Sequence, residues 1–280
     1  GLAEVVATCD IVEERARERA NELGAQKVYT DYRALLSEAD IDAVDICLPH
    51  HLHCEATVAA AEAGKHVLVE KPMARTLEEA KRMLDACAQN GVILMVAQNM
   101  RYDPFIERAK QLIGSGAIGR VLLAEVVGEG APQLRPFHRR KELIGGGTLI
   151  STGIHPIDYI RWLVGEVRRV SCFLASTAGI VEGEDTAVVI LDFENGAVGT
   201  LVCTWAAKPG RGQGFWIYGT EGALFFEGGK LTLRSAGGEG MTFKIRKEDS
   251  ISREIEHFVK CVTEGTTPRS SGEEAFRSLQ

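Results

Sequence analysis

A lysine stands between a carboxylate and a proline in Glu70-Lys71-Pro72, directly after the apolar run His66-Val67-Leu68-Val69. Proline fixes its own φ and restricts the residue before it, so the backbone at Lys71 has a constrained direction and the amine is aimed. If the apolar run is a strand of a parallel sheet, Lys71 stands at its carboxyl end, where such folds bind ligands. A lysine there suits two tasks: moving a proton once burial lowers its pKa, or polarising an oxygen as a cation. The alternative is a solvated or salt-bridged strand end, although Glu70 cannot be its same-face partner in extended chain. His155 is the second candidate, because an imidazole titrates near neutral pH. Its plainer reading is a polar residue satisfied within a helix packing face. His50, His51 and His53 lie within four residues, yet they cannot all face one ion from a strand-end turn without carboxylate help, so no metal site is expected.

These residues need a scaffold, and the first hundred residues alternate strand and helix. Residues 4–10 read as a strand and 12–23 as a charged amphipathic helix closed by Gly24. Residues 27–29 form a short strand, and Asp31 is an N-cap for the helix after it. Residues 43–48 form a strand running into Pro49, and an Ala-rich helix over about 53–63 stops at Gly64 before the strand that carries Lys71. Thr76-Leu77-Glu78-Glu79 has capping-box form, its helix ends at Asn90-Gly91, and 92–97 is a buried strand. Strands separated by helices of this length make a doubly wound parallel sheet. Asp10 closes a strand where such a fold holds the adenosine ribose hydroxyls, so residues 4–10 look like its second strand, the first lying upstream of residue 1.

The second half changes character. After a helix opened by Asp103-Pro104, β-branched and aromatic runs over 120–127, 170–176, 186–193 and 198–205 read as strands. Asn195-Gly196 between two of them is a strong hairpin signal, and 215–218, 223–226, 231–234 and 241–245 continue the series. The expected architecture is therefore a Rossmann-type α/β domain over 1–99, followed by an α+β domain over 100–280 with a large, mainly antiparallel open sheet. The active site is expected in the cleft between them. Gly114-Ser115-Gly116-Ala117-Ile118-Gly119 spells GxGxxG, but a helix precedes it and a strand follows, the reverse of what phosphate binding needs; it reads as a helix stop and tight turn.

Composition narrows the partners. A net charge of −7 argues against nucleic acid and anionic membranes, and no apolar run approaches the ~20 residues of a membrane span. Seven cysteines without CxxC spacing fit a reducing, cytoplasmic setting.

Taken in order, Asp10, Pro49-His50-His51-Leu52-His53, Glu70-Lys71-Pro72, Asn99-Met100-Arg101 and Gly145-Gly146-Gly147 through His155 and Asp158 resemble the Gfo/Idh/MocA family of NAD(P)-dependent oxidoreductases. The resemblance covers essentially the whole chain. It implies hydride transfer between NAD(P) and a hydroxyl or carbonyl carbon, often of a sugar or polyol, and a homodimer or homotetramer built through the open sheet. It also implies that family members extend beyond this chain at both ends. Lys71 and His155 are then the catalytic candidates, Asp10, Pro49, His50, His53, Glu70, Lys71 and Asn99 the cofactor-binding set, and Lys71, Arg101, Ser151 and His155 the substrate-binding set. Asp10 favours NAD over NADP, because a carboxylate accepts bonds from ribose hydroxyls and repels a 2′-phosphate, while Ile11 and Val12 offer no cation.

Similar family members carry Asp four positions before the histidine, where this chain has Ser151. A hydroxyl can orient the imidazole but adds no charge, which shifts proton chemistry toward Lys71 and leaves His155 as a hydrogen-bond donor to a substrate oxygen. Several residues keep two readings. Arg101 lines the cleft or forms an interdomain salt bridge; His53 contacts cofactor or caps a helix; Asp158 pairs with Arg161 along their helix. Gly145-Gly146-Gly147 admits a ligand or is a flexible loop, and the basic loop from Arg135 to Lys141 meets a substrate anion or is simply solvated. Two other functions stay open: a glycosidase using NAD for transient oxidation, and a non-catalytic NAD-binding regulator.

Overall fold

The computed structural model describes residues 2–280. Backbone contacts divide the chain into two units, residues 1–97 with 255–277, and residues 98–254 with 278–280.

The first unit alternates as its periodicity requires: β1 (Ala7–Cys9), α1 (Glu13–Leu23), β2 (Lys27–Tyr29), α2 (Tyr32–Glu38), β3 (Ala43–Ile46), α3 (His50–Glu62), β4 (His66–Glu70), α4 (Leu77–Gln89) and β5 (Leu94–Ala97). Local chemistry sets the boundaries. Gly24 closes α1 at a φ of 75°, Asp31 accepts a bond from the Arg33 amide at 2.9 Å, and the Thr76 hydroxyl accepts one from Glu79 at 3.2 Å. α3 starts three residues earlier than its Ala-rich stretch suggests, with Pro49 preceding its first turn.

The five strands of this unit pair in parallel, in two sheets ordered β1-β2 and β3-β4-β5. A doubly wound sheet would have one more strand between β1 and β3; among the described residues none pairs there. Val67, Val69, Met95 and Val96 are fully buried, as expected of strands covered on both faces.

The second unit begins with a 3-10 turn (Asn99–Tyr102) and continues through α5 (Pro104–Gly114), β6 (Val121–Glu129), α6 (Lys141–Ile144), α7 (Ile154–Val164), β7 (Val167–Ala175), β8 (Thr186–Phe193), β9 (Val198–Thr204), β10 (Gly212–Gly219), β11 (Gly222–Glu227), β12 (Lys230–Ser235) and β13 (Gly240–Phe243). The eight strands form one sheet ordered β13-β12-β11-β10-β6-β9-β8-β7. It is antiparallel except at β6-β9, which run parallel. α5 and α7 cover one face, their Ile106, Tyr159, Ile160 and Leu163 packing with Phe193, Leu201, Phe215 and Leu224. The glycines at 114–119 behave as a stop and turn: α5 ends at Gly114, and Gly116 and Gly119 take φ of 78° and 69° before β6.

Two helices end the chain, α8 (Ser250–Glu264) and α9 (Gly272–Leu279). Here the expected boundary needs correction, because residues 255–277 join the first unit rather than the second. The cause is non-local pairing at the edge of β5. Val96 donates to the Ser270 carbonyl at 2.9 Å and Met95 bridges Ser271. Periodicity carries no trace of such a return.

Candidate active site

In the first unit the candidate residues gather at the carboxyl ends of the parallel strands. β4 delivers Glu70 and Lys71 at its end, with Glu70 in register with Ala97 of β5. Lys71 is half-buried and joined to Pro72 by a cis peptide. Burial pulls its pKa below the ordinary lysine value, and the neighbouring Glu70 charge opposes that shift. The Glu70 carboxylate accepts a bond from the Lys71 amide at 3.1 Å, which holds it along the backbone. Asp10, one residue beyond β1, accepts from the Val12 amide at 2.8 Å through Oδ1 and is half-buried.

His53 needs reassignment. Its ring is fully buried, with Nδ1 2.9 Å from the Pro72 carbonyl oxygen and Nε2 2.7 Å from that of Leu48. Burial lowers its pKa against the pull of those carbonyls. The single N–H of the neutral ring can donate to only one of these carbonyls, and the ring packs between the chain after β3 and the chain after β4, beside the turn that carries Lys71. His50 is also buried, its ring centroid 5.7 Å from that of His53, and Pro49 is half-buried ahead of α3.

In the second unit Ser151 and His155 share one helical run. Leu149–Gly153 is a π-helical turn leading into α7, an irregularity often found at functional sites. Ser151 is buried and His155 half-buried. The turn is held from outside. Glu184 accepts bonds from the Gly147 and Leu149 amides at 3.1 and 3.0 Å, and its own carbonyl accepts from Thr148 at 2.8 Å. Donors that a helix start leaves without intrahelical partners are thereby satisfied. Trp205 Nε1 donates to the Thr152 hydroxyl at 2.8 Å.

This contact bears on the triple glycine. A Cβ on Gly147 would fall 1.9 Å from the Glu184 carbonyl oxygen, and one on Gly183 would fall 2.1 Å from that of Gly146. Gly147 and Gly183 let two backbone segments touch, while Gly145 closes α6 at a φ of 85°.

Arg101 and Asp158 also change roles. Both are buried to 1 % exposure, and the guanidinium holds the carboxylate through two bonds of 2.7 and 2.8 Å. Ser278 donates to the same carboxylate at 2.8 Å and accepts from Arg161 at 2.7 Å, while Arg161 reaches Glu166 at 2.9 and 3.0 Å. The expected Asp158–Arg161 pair is replaced by this network because Arg101 offers a bidentate fork. Arg101 therefore does not line a substrate surface, and its salt bridge lies within one unit. The basic loop is likewise engaged: Arg140 meets Glu142 and Glu182 at 3.1 Å, Arg139 donates to the Ile180 carbonyl, and Phe137 packs on the Ile144, Val181 and Trp205 cluster.

Asn99 donates to the Ser250 hydroxyl at 3.1 Å, whereas its neighbour Gln98 is 1 % exposed with neither carboxamide atom hydrogen-bonded. Sequence reasoning picked Asn99 and passed over Gln98. The signal was there, since a polar residue directly follows the uniformly buried β5. Among the described residues no group of three His, Cys, Asp or Glu side chains is placed to hold a metal.

Comparison with known proteins agrees with this anatomy. The model of an oxidoreductase family with NAD-binding Rossmann fold matches residues 1–98, and that of the Gfo/Idh/MocA C-terminal domain matches residues 106–225. Levoglucosan dehydrogenase of Pseudarthrobacter phenanthrenivorans is 37 % identical over 76 % of this chain, which spans 62 % of that protein. Myo-inositol 2-dehydrogenase of Thermotoga maritima is 30 % identical over 98 % of this chain and 85 % of its own. A solved levoglucosan dehydrogenase complexed with NADH and levoglucosan superposes with a TM-score of 0.90 at 30 % identity, covering 99 % of this chain and 85 % of that one. The chain belongs to the Gfo/Idh/MocA family of oxidoreductases, with an NAD-binding Rossmann fold in its first unit.

Proposed function

We propose that this chain transfers a hydride between NAD and a hydroxyl or carbonyl carbon of a sugar or polyol, with Lys71 as proton donor and acceptor. The observation that carries the reading is Lys71 itself: a half-buried amine at the carboxyl end of a parallel strand, its pKa lowered by burial. The donor set suits a dinucleotide. Asp10 has carboxylate lone pairs for ribose hydroxyls at one end of the strand array, and the orphaned Gln98 carboxamide follows β5 at the other. NAD, when bound, supplies the hydride acceptor. The Lys71 amine takes the hydroxyl proton as the carbon is oxidised and returns it in reduction. His155 donates a hydrogen bond to a substrate oxygen, with the Ser151 hydroxyl as a second polar contact. Sugar and polyol substrates are supported by the names of the relatives.

The assembly we propose is a homo-oligomer through the sheet face opposite α5 and α7. That face carries Phe173, Val188, Ile190 and Val198, all substantially exposed. We place the protein in the cytoplasm on its cysteine usage, all seven being free thiols.

A panel of sugars, polyols and sugar nucleotides incubated with NAD and the intact protein tests the function. Reduced nicotinamide forming one-for-one with oxidised product is the expected result. Product formed without net reduced cofactor would favour transient oxidation instead.

A further inference from the structure

Gln98 is the first residue beyond β5, and its carboxamide is buried with Oε1 and Nε2 both lacking a protein partner. Among the described residues it is the one side chain with two such atoms. A buried amide left unbonded at both ends is unfavourable, so the site suits a group that offers a donor and an acceptor together. Position narrows the choice. Gln98 directly follows Ala97, the register partner of Glu70, so it leaves the carboxyl end of the strand beside the one that Lys71 follows. Asp10 marks the β1-β2 side as the half that takes the adenosine ribose, which leaves the β3-β4-β5 side for the second mononucleotide half. The base of that half carries a primary carboxamide.

We infer that Gln98 recognises the nicotinamide carboxamide as an amide pair, Nε2 donating to its carbonyl oxygen and Oε1 accepting from its NH2. This rests on the NAD reading above. Two parallel N–H···O bonds between planar amides fix the rotation of the carboxamide. Asn99 differs in that one of its amide N–H groups is bonded to the Ser250 hydroxyl.

The test is binding rather than turnover. Wild type, Gln98→Met and Gln98→Leu are titrated calorimetrically with NAD, with the 3-acetylpyridine analogue that lacks the NH2 donor, and with ADP-ribose, which lacks the nicotinamide. Wild type should prefer NAD to the analogue by about tenfold, the scale of one hydrogen bond. Both variants should bind the two dinucleotides equally while keeping wild-type affinity for ADP-ribose, which also reports an intact fold. A preference retained in either variant that binds ADP-ribose normally would overturn the inference alone. Failure of wild type to bind either NAD or ADP-ribose would overturn the cofactor reading as well.

Discussion

At the residue scale, an amine and an ion pair are buried for opposite ends. Lys71 is half-buried, and burial lowers its pKa against the pull of the Glu70 carboxylate. The sign follows for activity. The free amine takes the substrate proton, so kcat/KM for oxidation should rise with pH through an apparent pKa below the ordinary lysine value of 10.5, and the reverse reaction should fall. Stability moves the same way. Between the folded and unfolded pKa the unfolded chain binds more protons at Lys71, so its burial penalty is relieved as pH rises. Rate profiles of wild type and Lys71→Met check the assignment, the variant losing the ionisation and roughly 10²- to 10⁴-fold in rate. Arg101 and Asp158 are buried as a matched pair instead. Asp158→Ala should cost about 3–5 kcal/mol in denaturant unfolding, because it strands a buried guanidinium; Arg101→Met with Asp158→Leu should recover most of it.

At the scale of elements, the site depends on loops that satisfy backbone groups. The π-helical turn ahead of His155 is held by Glu184, and the next residue, Asp185, anchors the preceding loop through the amides of Thr177, Ala178 and Gly179 and the hydroxyls of Thr177 and Thr186. Burial alone would raise the Asp185 pKa, yet these donors hold it at about 2 against an ordinary 3.8. A depressed carboxyl stabilises the fold above its unfolded pKa and loses that contribution as pH falls through the folded one. Asp185→Ala should therefore cost about 1–3 kcal/mol at neutral pH, and its gap from wild type should close as pH falls from 3.8 toward about 2 in thermal melts. Element type was legible in sequence because periodicity and caps are local: Asp31, Thr76 and Asp103 cap where expected. The role of Gly147 was not, since its reason is a close approach to the backbone of Glu184, 37 residues away. His53 and Arg101 each carry two readings in the sequence, ligand contact or structural role, because the partners that engage them lie 19 and 57 residues away.

For the whole molecule, the two-part architecture was readable from the change in strand pattern after residue 98, although His50 to His53, expected on a strand-end turn, lie in the first turn of α3. Two features were not readable. The return of residues 255–277 to the edge of β5 and the parallel β6-β9 pair are both choices among distant strands that no local pattern encodes. The exposed face of the large sheet bears on assembly. Phe173 lies opposite Val188, and Ile190 two residues on is exposed on the same face. Replacing Phe173 and Ile190 with glutamate should turn the proposed oligomer into monomer in sedimentation velocity without unfolding it; an unchanged sedimentation coefficient would place the interface elsewhere. The central claim is that hydride passes directly from a substrate carbinol carbon to the cofactor while Lys71 moves the proton. It is tested by supplying a substrate deuterated at that carbon with NAD and locating the label. Recovery of one deuterium per reduced nicotinamide, formed roughly 10²- to 10⁴-fold more slowly by Lys71→Met, is the predicted result. Deuterium released to solvent, or full label transfer by Lys71→Met at the wild-type rate, would contradict it.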